Sequence, residues 1–157
     1  MISEENKNLL FKASIFSGLT TEQLSSVLDA AVEVSFSKGE VIMTEGEEGG
    51  ALFVTIEGNI QIEKRAGDDS TIKIAQSEQR GTIFGEMSLV DMKPISATVT
   101  ADSDLKMVSI NRESLADIFD KDPKVLATIS LNIARALSDR LRHSNDMLTE
   151  FFRRTMA

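Results

Sequence analysis

Apolar positions along the chain change period twice, and the two changes divide it into three parts. Ser3 to Phe11 ends on the apolar run Leu9-Leu10-Phe11 and reads as a short helix, broken by Gly18. Thr20 or Thr21 caps a second helix. Its Leu24, Val27, Leu28 and Ala31 fall at the i, i+3, i+4, i+7 spacing of one buried face. From Val32 the period drops to two. Val32-Glu33-Val34-Ser35-Phe36 alternates strictly, Lys38-Gly39-Glu40 turns, and Val41-Ile42-Met43 follows. Leu52, Val54 and Ile56 alternate, Glu57-Gly58-Asn59 turns, and Ile60 and Ile62 alternate again. Gly67-Asp68-Asp69 marks another turn before Ile72 and Ile74; Ala97 to Thr100 and Leu105 to Ile110 complete the series. Short strands at close spacing, with Gly and Asp between them, predict an antiparallel sandwich or barrel.

After Ile110 the helical period returns. Asn111 is an N-cap for a helix from Arg112 to Phe119, with Leu115, Ile118 and Phe119 on one face. Asp122-Pro123 is an N-cap acid followed by proline at the first helical position. Leu126, Ile129, Ile133, Leu137, Leu141, Leu148, Phe151 and Phe152 then line one side of a long amphipathic helix, with a break expected near Ser144-Asn145. Such a stripe needs a partner: its own barrel, a second copy, or another protein. The three parts (residues 1–31, 32–110 and 111–157) are expected to form a single domain spanning 1–157. The fold class is mainly β with flanking α.

Composition narrows the chemistry. The 157 residues contain no cysteine, which removes disulfides, thiolate metal sites and a cysteine nucleophile. The one histidine, His143, lies among Arg140, Arg142 and Asp146 in the charged helical stretch and reads as a solvated surface residue. A cupin-like metal site needs several histidines, so neither a metal nor an enzyme is expected. The carboxylate pairs Asp68-Asp69 and Glu47-Glu48 fall at turns, where solvated acids are ordinary. No apolar run approaches the roughly 20 residues that span a bilayer. Residues 1–6 carry no basic or apolar region of a secretory signal, so a cytoplasmic location is the expectation. The net charge of −8 argues against general affinity for nucleic acid or anionic membranes. That charge is uneven: Lys124 onward carries six basic residues against three acids, or +3, leaving −11 on the rest.

Two stretches carry the candidate chemistry. The first runs from Phe36-Ser37-Lys38-Gly39-Glu40 through Glu45-Gly46-Glu47-Glu48-Gly49-Gly50 to Glu57-Gly58-Asn59-Ile60. The second is Gly81-Thr82-Ile83-Phe84-Gly85-Glu86-Met87-Ser88-Leu89, followed by Pro94-Ile95-Ser96-Ala97-Thr98-Val99. In the second, a glycine and a following glutamate open a short helix between strands, whose free N–H groups suit a phosphate. Ser88 and Ser96 are additional donors, and Glu86, acceptor-only when ionised, suits the hydroxyls of a ribose.

Together the two stretches resemble the cyclic-nucleotide-binding domain family, as found in catabolite activator proteins, regulatory subunits of cyclic-AMP-dependent protein kinase and cyclic-nucleotide-gated channels. The resemblance covers about Leu9 to the last helix. It implies a jelly-roll-like antiparallel β-roll with N-terminal helices and a long C-terminal helix, and a phosphate-binding cassette over residues 84–99. It also implies cyclic AMP or cyclic GMP as ligand, no other cofactor, and a homodimer through the last helix. Carried over by position, Phe84 opens the cassette, Gly85 and Glu86 meet the ribose and its 2′-hydroxyl, Met87 and Ser88 supply cassette backbone, and Ser96 and Ala97 close on the phosphate. The family's phosphate arginine follows the cassette proline. Here that position is Ile95.

Losing one partner of a buried charge pair costs roughly 2–5 kcal/mol. That weakens a site by roughly 30-fold to several thousand-fold, so sub-micromolar sensing is not expected. Lys93, Arg80, Arg140 and Arg142 are the candidate replacement cations. Ser138, Leu141, Arg142 and Asn145 on the last helix are candidates to face a base. The expected function is a regulatory ligand-sensing module. The alternative is a ligand-independent dimerisation or docking domain of the same fold, including a subunit for a separate transcription regulator or signalling protein. The chain stops on or just past the long helix, so direct reading of DNA is not expected of it.

Overall fold

Ser3 and Thr20 start the N-terminal helices because their side chains accept from N–H groups that a first helical turn leaves free. Ser3 caps α1 (Glu4–Leu10), and Thr20 caps α2 (Thr21–Asp29), with Gln23 reaching back to complete a capping box. Between them Ser14–Phe16 makes one turn of 3-10 helix that buries Ile15 and Phe16. It is too short to carry an apolar period. The computed structural model describes residues 2–67 and 70–156. Asp68 and Asp69, read above as a turn and a carboxylate pair, therefore lie outside the described residues.

Eight strands follow: β1 (Val32–Phe36), β2 (Val41–Met43), β3 (Ala51–Glu57), β4 (Ile60–Arg65), β5 (Thr71–Ser77), β6 (Ile83–Phe84), β7 (Thr98–Ala101) and β8 (Leu105–Asn111). They form two antiparallel four-stranded sheets, in the orders β1-β8-β3-β6 and β2-β7-β4-β5. The short helix α3 (Glu86–Asp91) lies between β6 and β7, and α4 (Arg112–Lys121) and α5 (Pro123–Thr155) close the chain. This is the mainly β fold with flanking helices that the pattern predicts, in the form of the β-roll with a long C-terminal helix that the resemblance implies.

Period-two alternation explains how the roll builds two cores. On β3 and β8, Leu52, Val54, Ile56, Val108 and Ile110 face the helices. There they pack with Leu10, Phe16, Val27, Leu115, Val125 and Ile129. Residues of opposite parity, with Phe84 and Ile95, face inward between the sheets: Phe53, Leu105 and Met107 meet Met43, Ile60 and Val99. The two central strands are thus covered on both sides. Gly58, at φ +92, makes the β3–β4 turn where a Cβ would stand 2.2 Å from the Asp104 carbonyl oxygen.

Three expectations fail for local reasons. Ile72 and Ile74 alternate in sequence, yet both are exposed. β5 is an edge strand, and the register jumps from Ile62↔Ala75 to Glu63↔Lys73, which leaves Ile74 as the extra residue of a bulge. Leu126 is exposed, because the buried face of α5 runs through Val125, Ile129, Asn132 and Ile133, one residue away. No break occurs at Ser144-Asn145. α5 runs unbroken for 33 residues, about 50 Å at the helical rise.

The first half of α5 is tied down by polar contacts. Asp122 caps it through Lys124 N–H and accepts from the Gln23 side chain at 2.8 Å. The Gln23 hydrogen bond holds the Asp122 carboxyl below its ordinary range. Buried Asn132 donates to the carbonyl oxygens of Ile15 (3.0 Å) and Ser17 (2.8 Å). Replacing Asn132 with Ala leaves both carbonyls without this donor. The expected loss is roughly 1–3 kcal/mol of unfolding free energy, measurable by urea denaturation, with unchanged secondary structure in the far-ultraviolet circular dichroism.

Candidate functional site

The cassette is positioned by one conformational demand. Gly85 sits at φ +81, and a Cβ there would stand 2.3 Å from the Ala51 carbonyl oxygen. A left-handed residue pressed against β3 must be glycine. It turns the chain from β6 into the six-residue α3 and drives Glu86 into the fold. Phe84, just before it, is buried and stacks on Phe53 with ring centroids 5.2 Å apart. Phe84 is a core residue that anchors the cassette.

Glu86 is 1% exposed. An ionised carboxylate so deeply buried needs a cation, and the long helix supplies one. Arg140 of α5 hydrogen-bonds Glu86 through Nη1 and the Ile83 carbonyl oxygen through Nη2. Its side chain is 43% exposed, so the pair lies at the edge of the roll, with the acid inside and the base outside. Arg140, read in the sequence as a candidate replacement for the phosphate cation, is thus engaged by Glu86.

The remaining cassette residues separate into inward and outward sets. Ser88 is buried, with its hydroxyl 3.4 Å from the Gly85 carbonyl oxygen and its side chain packed against Gly49. Ile95 is 9% exposed and belongs to the core between the sheets. Its N–H donates to Glu47 O and its carbonyl accepts from Gly46 N–H, each at 2.9 Å, stitching the cassette end to the β2–β3 loop. Ala97 is buried beside it. Met87 and Ser96 are exposed, with the Ser96 hydroxyl 3.6 Å from the Met87 sulfur. Lys93 projects outward and sits 3.9 Å from Asp91. Ser138, Leu141, Arg142, His143 and Asn145 all lie on the exposed part of α5.

Sequence reading missed three charged residues that the fold brings to the cassette. Arg112, at the start of α4, donates through Nη2 to Gly49 O (2.8 Å) and Ser88 O (3.0 Å) and so clamps the cassette to the loop before β3. Its Nε is buried without a partner among the described residues. Lys64, on β4, donates to the Ser96 carbonyl oxygen at 2.6 Å and to Glu45 at 3.1 Å. Glu45 also accepts from Arg65 N–H at 2.8 Å. That backbone hydrogen bond, ahead of the contact with Lys64, holds the Glu45 carboxyl below its ordinary range. In the sequence, Glu45 lay within the first glycine-bearing stretch without a role of its own, and Lys64 had the inward parity that follows Ile60 and Ile62.

A family model described as "Cyclic nucleotide-binding domain" matches residues 33–122, which runs from β1 through the cassette to the start of α5. The chain belongs to the cyclic nucleotide-binding domain family. This cyclic nucleotide-binding domain is similar to the CRP-like cAMP-activated global transcriptional regulator of Mycobacterium tuberculosis, 28% identical over 144 residues. The match covers 90% of this chain but 61% of the regulator, so the chain spans about three-fifths of that relative's length. The cGMP-dependent protein kinase of Eimeria tenella is 33% identical over 111 residues, which cover 71% of this chain and 10% of the kinase. Among solved structures, the catabolite activator protein of Thermus thermophilus superposes with a TM-score of 0.73 at 26% identity, covering 87% of this chain and 62% of that one. A cyclic nucleotide-binding domain from Methylobacillus flagellatus shares the fold at a TM-score of 0.82 and 23% identity, covering 93% and 82% of the two chains.

Removing Arg140 leaves the Glu86 carboxylate buried without its cation. For Arg140→Ala the expected loss is roughly 1–3 kcal/mol, below the full cost of breaking a buried pair because the arginine is partly solvated. Adding Glu86→Gln to Arg140→Ala should recover part of that loss, as read from a double-mutant cycle of chemical denaturation.

Proposed function

We propose that this domain is a regulatory module that binds a cyclic nucleotide weakly and reports it through the position of α5. The observation that carries the reading is the Arg140–Glu86 pair: the acid suited to a ribose hydroxyl is bonded to the helix that would move. A ribose that engages Glu86 competes with Arg140, so ligand binding and helix position become linked equilibria. The names of the similar proteins, a cAMP-activated regulator and cGMP-dependent kinases, support a cyclic nucleotide as ligand. Ile95, buried among apolar side chains, supports weak binding, because no arginine follows the cassette proline.

One observation favours a second reading. With Glu86 satisfied by Arg140 and Ile95 in the core, the pocket has no need of a ligand to stay folded. A ligand-independent docking domain would look the same.

Calorimetric titration of cyclic AMP and cyclic GMP separates the two. The wild type is expected to bind one of them with a dissociation constant above about a micromolar, and Ile95→Arg is expected to bind more tightly, by roughly tenfold or more. If both proteins are silent at millimolar ligand, the ligand-independent reading takes its place.

The output surface is proposed to be the distal half of α5, paired with a second copy. Leu141, Leu148, Phe151 and Phe152 are exposed at helical spacing on one side of it, an apolar stripe of the kind that coiled-coil partners cover. Sedimentation equilibrium should give a dimer for the wild type and a monomer for Leu148→Glu/Phe152→Glu. A wild type that is monomeric at tens of micromolar (about the range of a weak dimer) excludes this surface as a self-contact.

A further inference from the structure

The candidate cations differ in their partners, and Arg65, beside Lys64, is held through its guanidinium by the Glu45 carbonyl oxygen at 3.2 Å. Arg140 is engaged by Glu86 and the Ile83 carbonyl oxygen. Arg112 lies beneath the cassette on backbone carbonyls. Lys93 is outside the roll beside Asp91. Arg142 is on the exposed stretch of α5. Lys64 differs from all of them in its direction and its contacts.

Strand parity fixes the direction. On β4 Ile60 is fully buried and Ile62 packs against it between the sheets, so Lys64, two residues on, leaves the same inner face at the open end of the roll. The β4–β7 register supports this, since Ile60 pairs with Ala101 and Ile62 with Val99 without interruption. The ammonium therefore reaches the end of the cassette, 2.6 Å from the Ser96 carbonyl oxygen. It also bonds Glu45 at 3.1 Å. An ammonium has three donors. Two are used, and the side chain is 51% exposed, so the third is open to a ligand. Glu45 does not depend on Lys64 for its position. It keeps the Arg65 N–H, and its own N–H donates to Thr98 Oγ1 at 3.0 Å. The lysine can turn to another anion without leaving a loose carboxylate behind.

We infer that Lys64 is the phosphate-neutralising cation of this domain, supplied by β4 across the mouth of the roll in place of a cassette arginine. The inference rests on the cyclic-nucleotide reading above. A lysine is a compact point charge without the planar fork of an arginine, so it attracts a cyclic phosphate without gripping two oxygens at once. Glu45 competes with the phosphate for the same ammonium. Both features give a site selective for anions and modest in affinity.

The test is calorimetric titration of cyclic AMP and cyclic GMP, with adenosine and guanosine as uncharged controls, into wild type, Lys64→Met, Lys64→Arg and Glu45→Gln. Lys64 is half-exposed and outside both cores, and thermal melts confirm that each variant is folded before titration. Lys64→Met is expected to bind the cyclic nucleotide about tenfold more weakly and to show a flatter dependence on salt. Lys64→Arg should retain binding, and Glu45→Gln should match or exceed the wild type. Nucleoside binding should not change. Wild-type binding that survives in Lys64→Met overturns the role of Lys64 and leaves the proposed function standing. A loss that extends equally to the nucleosides also overturns it, because the lysine would then be shaping the pocket. A wild type silent to both cyclic nucleotides removes the function and the assignment together.

Discussion

A carboxylate buried to 1% exposure is the constraint from which the arrangement of this domain follows. A lone charge buried in such a place costs several kcal/mol of desolvation even after relaxation, so a cation in contact is what makes the site workable. The cassette's own cation, Lys93, points outward beside Asp91, and the residue nine positions after Glu86 is Ile95, which is turned into the apolar core. The charge comes instead from α5, more than fifty residues away in sequence. That single pair joins the cassette, the end of β6 through the Ile83 carbonyl oxygen, and the long helix. The helix is therefore part of the site's electrostatics.

The position of Arg140 along α5 gives the pair leverage. Val125, Ile129, Asn132 and Ile133 are the buried residues of the helix, and Asn132 ties it to the 3-10 turn. From Ser138 to Thr149 every residue is exposed. Arg140 lies two turns beyond Ile133, just where the packed half ends. On the proposed reading, a contact made there acts on the free half of a stiff rod, so that a small rotation at the cassette gives a larger displacement at Phe151 and Phe152. Packing fixes one end, the ion pair fixes the middle, and nothing among the described residues fixes the far end.

Much of this was legible in the sequence. The change of period at Val32 and at Ile110 located the roll, and Asp122-Pro123 placed the start of α5 to the residue. Gly85-Glu86 marked the cassette only together with the first glycine-bearing stretch, through the family resemblance; the left-handed conformation of Gly85 became visible in the fold. What failed is instructive in physical terms. Ile74 was misjudged because a bulge shifts parity without leaving a mark in the apolar pattern. The break at Ser144-Asn145 was expected from composition, but two polar residues on an exposed helix are only mildly unfavourable to it. That the side chains of Phe84 and Ser88 are both buried, one stacked on Phe53 and the other against Gly49, was not legible, because position in the cassette says nothing about which way a side chain turns. Arg112, Lys64 and Glu45 went unnoticed because their roles arise only when β4, α4 and the β2–β3 loop meet.

Two ion pairs, one between α3 and α5 and one between β4 and the β2–β3 loop, occupy the proposed site. Every charge that the proposed ligand would engage already has a partner within the chain: Glu86 has Arg140, and Lys64 has Glu45. Binding is then an exchange of intramolecular contacts for intermolecular ones, and the affinity is the difference between them. At the ribose end the exchange releases a helix. At the phosphate end it releases a carboxylate that keeps its backbone partner. Only the first release changes the outline of the molecule. A ligand lacking the ribose hydroxyl can fill the phosphate end and still leave α5 where it was, because it makes no contact that distinguishes the two helix positions. On the proposed reading, phosphate recognition and helix release are separable, and the signal comes from the hydroxyl that competes for Glu86.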